Sequence, residues 1–67
     1  MKITLHNDRA GNLMVYVAKK DLEEPVVKQT KTDDAHIFTL DNGWELSVTD
    51  LSEPFQLPKT VQAKRLN

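Results

Sequence analysis

The sequence contains no cysteine, only two glycines, only three prolines and no long apolar run. Without cysteine, the chain has no disulfide bonds, no thiolate-bound zinc and no iron–sulfur cluster to supply stability or redox chemistry. Gly11 and Gly43 stand alone, so a glycine-rich phosphate-binding loop is also excluded. A hydrophobic core must therefore stabilise the 67 residues, a length near the lower limit for independent folding.

Charge of one sign is lacking as well, because nine Lys and Arg oppose ten Asp and Glu and leave a formal net charge of −1. This balance argues against a generic nucleic-acid binder. The apolar run that opens the sequence ends at Leu5, which is too short for a signal peptide or a membrane span. We expect a cytoplasmic protein that makes no membrane contact.

Short runs of β-branched and aromatic residues, separated by turn residues, dominate the sequence and are typical of small barrels and sandwiches. They predict six strands, at residues 2–6, 13–18, 26–31, 36–40, 44–49 and 59–65. The expected fold class is all-β, a small barrel-like domain of about six short, mostly antiparallel strands. Residues 1–67 are expected to form this single domain.

Two connections have compositions that limit their structure. Asn, Asp and Gly in residues 7–12 indicate a turn, because these residues tolerate positive φ. Residues 19–24 are strong helix formers but span only about one and a half helical turns, and Pro25 disfavours helical geometry in the residue before it. We expect at most a turn or a 3-10 element there. The polar residues 28–31 that follow suit an exposed edge strand.

The turn residues at 41–43 indicate a hairpin whose register can be argued. A two-residue Asn-Gly loop would pair Leu40 with Glu45 and mix polar and apolar side chains on each face. A three-residue loop with Gly43 at positive φ gathers the large apolar side chains on one face. Because a one-residue slip would expose that face, we predict the three-residue loop, which pairs Leu40 with Trp44, Phe38 with Leu46, and His36 with Val48.

The rest of the chain is expected to cover and close the sheet. Residues 50–58 are too proline-rich for a central strand, so we expect them to cross one mouth of the barrel, with Phe55 or Leu57 as a plug. In residues 59–65, Val61 and Ala63 alternate with polar side chains. This pattern predicts a last strand that closes the sheet against the first.

An unusual combination of four segments runs through this short chain: LMVYVAKKDLEEPVV at residues 13–27, DNGW at 41–44, LPKTV at 57–61 and AKRL at 63–66. Together they resemble the NifT/FixU family of small nitrogen-fixation proteins. Ala18 stands where the family commonly has proline, and residues 28–37 match no pattern of the family. The resemblance implies a small barrel-like fold and an accessory or maturation role in nitrogen fixation, and it supplies no catalytic residues.

No catalytic or metal-binding constellation is visible in the sequence. His6 and His36 lack any metal-ligand spacing, and His36 is interpreted as half-buried packing beside Val48. Asp33 and Asp34 lack the alternating oxygen ligands of a calcium loop, and the serines lack the glycine setting of a nucleophile. We expect no enzyme activity, no metal and no cofactor.

The best candidate for a partner-binding surface is a charged block formed by Lys19, Lys20, Asp21, Leu22, Glu23 and Glu24. An exposed, rigid block of both signs can bind a protein through electrostatic complementarity, with Leu22 as an apolar anchor. A plain solvated turn is the alternative. Trp44 and Tyr16 are further candidates for interface anchors, although Trp44 also suits the core of so small a domain.

The function expected from these features is that of a non-enzymatic accessory protein of nitrogen fixation. It would act in nitrogenase maturation by binding a protein partner, either a nitrogenase component or an assembly factor. The alternative is a small β-barrel nucleic-acid-binding module with a basic strip of Lys28, Lys31, Lys59, Lys64 and Arg65. The slightly acidic balance and a total of four aromatic residues argue against that alternative.

Overall fold

The fold is seen in a computed structural model that describes residues 1–49, 51 and 55–67. This part of the chain is almost entirely β-structure, as the sequence predicts, with one short 3-10 turn at Ala18–Lys20. Its seven strands are β1 (Lys2–Asn7), β2 (Leu13–Val17), β3 (Leu22–Lys31), β4 (His36–Leu40), β5 (Glu45–Val48), β6 (Lys59–Gln62) and β7 (Lys64–Arg65).

The strands form one antiparallel sheet in the order β6-β1-β2-β3-β4-β5-β7, which curls into a nearly closed barrel. Only Ala63 separates β6 from β7 in the chain. Since β6 pairs with β1 and β7 pairs with β5, this last segment joins the two edges of the sheet. The predicted closure against the first strand is confirmed, and the additional pairing with β5 divides the expected last strand into two.

The core is built from the inward positions of the strands. Alternation along each strand sends every second side chain inside, and Phe38 is the largest of those that are fully buried. Burying one such side chain contributes roughly 1.5–3 kcal/mol. The buried apolar residues are Ile3, Leu5, Val15, Val17, Phe38, Leu40, Leu46, Val48 and Ala63.

The β4–β5 hairpin has the predicted three-residue loop. Phe38 lies opposite Leu46 and His36 lies opposite Val48. The N–H of Leu40 donates to the carbonyl of Trp44 at 2.8 Å, and the N–H of Gly43 donates to the carbonyl of Leu40 at 2.9 Å. Gly43 has a φ of +95°, which is the positive value expected of the bulge residue.

The turn between β1 and β2 is also confirmed. One carboxylate oxygen of Asp8 accepts the N–H groups of Ala10 and Asn12, both at 2.9 Å. These bonds, led by the one from Asn12, lower the pKa of Asp8 because they favour its charged form. A local side-chain acceptor therefore holds the reversal in place.

The expected start of the third strand is wrong. Leu22, Glu23 and Glu24 were expected in a turn, but β3 begins at Leu22 and pairs with β2 from there to Pro25. Long-range pairing overrides the helix propensity of these residues. Pro25 is tolerated in β3 because the pairing of this strand with β4 becomes irregular just after it, between Val26 and Lys28. The carbonyl of Pro25 still accepts the N–H of Asp41 at 2.9 Å.

The second half of β3 has the exposed edge that its composition predicts. Pairing with β2 ends at Pro25, whereas pairing with β4 continues from Val26 to Lys31. Residues 27–31 are all exposed. Lysines on this half of the strand suit an edge, because charged side chains oppose pairing with another chain.

Residues 50–58, the expected cover of one barrel mouth, fall partly outside the described residues, at 50 and 52–54. Leu51, Phe55 and Leu57 are described, and each is partly buried against the core. The ring of Phe55 meets that of His36 edge to face, with 6.5 Å between centroids. Both side chains expected as plugs therefore pack against the core.

We predict that Gly43→Val destabilises the protein by about 1–2 kcal/mol, because a β-branched residue is strained at positive φ. An added Cβ would meet no atom within 4 Å, so the cost is backbone strain and not a clash. Urea unfolding measures the difference. The control is Gly43→Asn, which tolerates positive φ better and should cost less. Equal denaturation midpoints for wild type and Gly43→Val would contradict the bulged hairpin.

Candidate functional site

The two histidines have separate structural roles. His36 is 7% exposed, its ring stacks on Phe38 with 4.6 Å between centroids, and its Nε2 lies 3.1 Å from the side-chain oxygen of Gln29. His6 lies on the outer face of β1, with its Nε2 3.3 Å from Oε1 of Glu23. Because one ring points inward and the other outward, the two cannot share a metal ion. Among the described residues, no group of three His, Cys, Asp or Glu side chains could hold one.

The charged block at residues 19–24 is divided between two elements. Lys19 and Lys20 lie in the 3-10 turn and are exposed, and Asp21 ends that turn with a φ of +47°. Leu22 starts β3, lies opposite Val17 and packs against the core. The block therefore presents charge at the surface, and its one apolar side chain contributes to the barrel.

Two carboxylates of the block are engaged within the molecule. The hydroxyl of Tyr16 donates to Oδ1 of Asp21 at 3.1 Å, and Glu23 reaches His6 across β2. The hydrogen bond to Asp21, together with the negative charge of Asp21, raises the pKa of Tyr16 above its usual value of 10.0. The backbone N–H of Asp21 donates to the carbonyl of Ala18 at 3.2 Å. Asp21 is therefore held through both its backbone and its side chain.

Lys20 of the block lies beside Trp44, which stands just before β5 at the end of the β4–β5 loop. The Nζ of Lys20 is 6.0 Å from the ring centroid of Trp44, and the Cζ of Arg65 is 3.9 Å from the same centroid. Both distances lie within the range of cation–π attraction. Trp44 is partly buried and packs against the core. The ring is thus part core and part surface, which combines the two roles that the sequence left open.

Sequence reasoning did not place Arg65 at this site. Arg65 reaches Trp44 because it lies opposite Leu46, two residues after Trp44. The alternation of apolar and polar residues in 59–65 could have located Arg65. It would have done so if the segment had been expected to pair with β5 as well as with β1.

The basic strip of the nucleic-acid alternative is not continuous in the structure. Lys28 and Lys31 lie on β3, whereas Lys59, Lys64 and Arg65 lie on β6 and β7. Two strands separate these groups in either direction around the barrel. The five cations therefore do not form a single track for a nucleic-acid backbone.

The Tyr16–Asp21 contact gives a testable prediction. Tyr16 is the only tyrosine, so tyrosinate absorbance reports on it alone. Its pKa is raised in the folded protein, so the stability from this contact is complete below about pH 10, the unfolded pKa. That stability is lost as pH rises through the folded pKa. We expect Tyr16 to titrate at a higher pH in the native than in the urea-unfolded protein, and Asp21→Asn to reduce that difference.

The matched control is Asp34→Asn, which removes an exposed carboxylate in the loop after β3 and should leave the titration unchanged. Circular dichroism at each pH shows whether the protein remains folded. Identical titrations of the wild type and Asp21→Asn would contradict the proposed cause of the shift.

Within the described residues, no helix is long and apolar enough to cross a membrane. The family described as "NifT/FixU protein" matches residues 1–63 of the chain. "Protein FixU homolog" of Sinorhizobium fredii (strain NBRC 101917 / NGR234) is 40% identical over 67 residues, which cover 98% of this chain and 87% of that protein. "Protein FixU" of Rhizobium leguminosarum bv. trifolii is 41% identical over 66 residues, which cover 97% and 93%.

A third relative is much longer. "Protein MosB" of Rhizobium meliloti is 37% identical over 67 residues, which cover 98% of this chain but only 13% of that protein. The matches to the family and to the two FixU proteins span nearly the whole chain. The resemblance seen in the sequence is confirmed, and the chain belongs to the NifT/FixU family, whose members are accessory proteins of nitrogen fixation.

Proposed function

We propose that this protein is a non-enzymatic, cytoplasmic accessory protein that acts in nitrogenase maturation by binding a protein partner. The partner is a nitrogenase component or an assembly factor. Membership of the NifT/FixU family supports the process. The observation that carries the mode of action is the charged block formed by Lys19, Lys20, Asp21, Leu22, Glu23 and Glu24, in which both lysines, Asp21 and Glu23 are exposed and Lys20 lies beside Trp44.

The geometry of this block favours binding over catalysis. Asp21 and Glu23 are engaged with Tyr16 and His6, so neither carboxylate is placed as an acid or base beside a nucleophile. Lys19 and Lys20 are held on a short turn between two paired strands. A rigid charged surface loses little conformational entropy when a partner binds, and complementary charge on that partner speeds association.

The relative MosB supports a modular role. Its match to this chain occupies 13% of its length, so a segment similar to this whole domain is carried within a much longer protein. A domain that binds another protein can still bind it when it is part of a longer chain, because its binding surface needs only to remain exposed.

We predict that the double substitution Lys19→Glu and Lys20→Glu abolishes partner capture and leaves the fold intact. Exposed ion pairs contribute only about 0–1 kcal/mol to stability, whereas like charges across an interface cost several kcal/mol. The tagged variant is compared with wild type by affinity capture from nitrogen-fixing cells and mass spectrometry, and thermal unfolding checks the fold. The tag stands at the loop of residues 32–35, away from the block.

The matched control is Lys28→Glu with Lys59→Glu, which makes the same change of net charge on exposed positions of β3 and β6. This control should retain a nitrogenase component or assembly factor at wild-type yield. The binding proposal fails when wild type captures neither kind of protein. The assignment of the block fails when the Lys19 and Lys20 variant captures the partner as well as the control does.

A further inference from the structure

We infer that the barrel end marked by Trp44 binds an acidic segment of the partner protein, whose carboxylates lie between Lys20 and Arg65 and against the indole ring. This inference rests on the proposed function and names the chemistry of the partner. We call this surface the Trp44 end, and it consists of Lys20, Trp44 and Arg65.

Three distant parts of the chain meet at the Trp44 end. The 3-10 turn supplies Lys20, the loop of the β4–β5 hairpin supplies the ring, and β7 supplies Arg65. The backbone N–H of Trp44 donates to the side-chain oxygen of Asn42 at 3.0 Å, and pairing with Leu46 fixes the position of Arg65. The surface is therefore held by the barrel itself.

Within the part of the chain that the structure describes, neither Lys20 nor Arg65 lies within 4.0 Å of a carboxylate oxygen. The Cζ of Arg65 and the Nζ of Lys20 lie 3.9 Å and 6.0 Å from one ring centroid, which limits their separation to about 10 Å, roughly one Debye length in 0.1 M salt. At that range the two charges repel each other.

The nearest carboxylates in sequence form no ion pair with these cations in the described part of the chain. Asp41 and Glu45 belong to the same hairpin as Trp44, yet neither forms an ion pair with either cation. The carboxylate of Asp21 accepts a hydrogen bond from the hydroxyl of Tyr16. A carboxylate from outside would relieve the repulsion between the two cations. Guanidinium also binds carboxylates in a two-point geometry that favours specificity.

Trp44 adds an anchor to this charge. Tryptophan and arginine are among the residues most enriched at the energetic centres of protein interfaces. Because the ring packs partly against the core, its position is already fixed before binding. An incoming segment meets a rigid aromatic surface bordered by positive charge.

An acidic protein segment fits this surface better than a nucleic acid does. Nucleic-acid binding relies on many phosphate contacts along a backbone, and Lys28 and Lys59 lie on other strands of the barrel. Two cations beside one aromatic ring match a short stretch of glutamate or aspartate.

The test uses polyglutamate as the probe and the fluorescence of Trp44, the only tryptophan, as the signal. We expect a saturable change in fluorescence at low salt, and we expect Lys20→Gln with Arg65→Gln to weaken binding by about tenfold or more, about 1.4 kcal/mol. Lys28→Gln with Lys59→Gln removes the same charge elsewhere and should bind as wild type does. Polylysine should give no change.

Thermal unfolding checks each variant, and Lys20→Gln alone tests the site on an exposed turn if the Arg65 substitution disturbs β7. The inference is overturned if polyglutamate binds the two double variants equally well. It is also overturned if wild type gives no saturable change, or if an oligonucleotide of matched length binds more tightly with a steep salt dependence.

The inference and the proposed function can fail separately. If Lys20→Gln with Arg65→Gln still captures the nitrogenase component or assembly factor at full yield, the Trp44 end is not the binding surface, although the protein binds a partner. If wild type binds polyglutamate at the Trp44 end but captures no such protein, the acidic-segment site stands and the proposed function fails.

Discussion

The segment from β6 to β7 forms hydrogen bonds along both of its sides, and the closed shape of the barrel depends on them. It pairs with β1 on one side and with β5 on the other, and the N–H of Ala63 donates to the carbonyl of Met1 at 2.7 Å. Without this double pairing, the sheet would have two open edges and an uncovered core. A chain without cysteine has no disulfide to replace that closure.

The same pairing creates the candidate site. Arg65 meets Trp44 only because β7 lies beside β5, and Lys20 meets it because the 3-10 turn lies at the same end of the barrel. The division of charge at the surface follows from the fold as well. Outer-face neighbours engage Asp21 and Glu23, and the cations are left to face outward. The sequence shows a block of both signs, and the fold places Lys20 of that block beside Trp44.

The hairpin could be predicted from sequence because its register depends on local alternation and on one glycine, Gly43, at a position that requires positive φ. The start of β3 could not. Leu22, Glu23 and Glu24 favour a helix locally, and only pairing with β2 makes them a strand. The meeting of Lys20, Trp44 and Arg65 was equally out of reach, because it follows from which strands become neighbours when the sheet closes. Charged residues were identifiable from sequence, and their partners were not.

The position of both chain ends has a practical consequence for labelled or fused proteins. The amino group of Met1 donates to the carbonyl of Ala63 at 2.6 Å, and the carbonyl of Asn67 accepts the N–H of Glu45 at 3.0 Å. Since β1 begins opposite Val17, next to the 3-10 turn that carries Lys20, and Asn67 lies against Glu45, both ends leave the barrel on the side of Trp44. A tag or fusion at either end would shield the Trp44 end and mask binding there. A dye or an affinity handle is better placed in the loop of residues 32–35, which lies at the opposite mouth of the barrel and away from the Trp44 end.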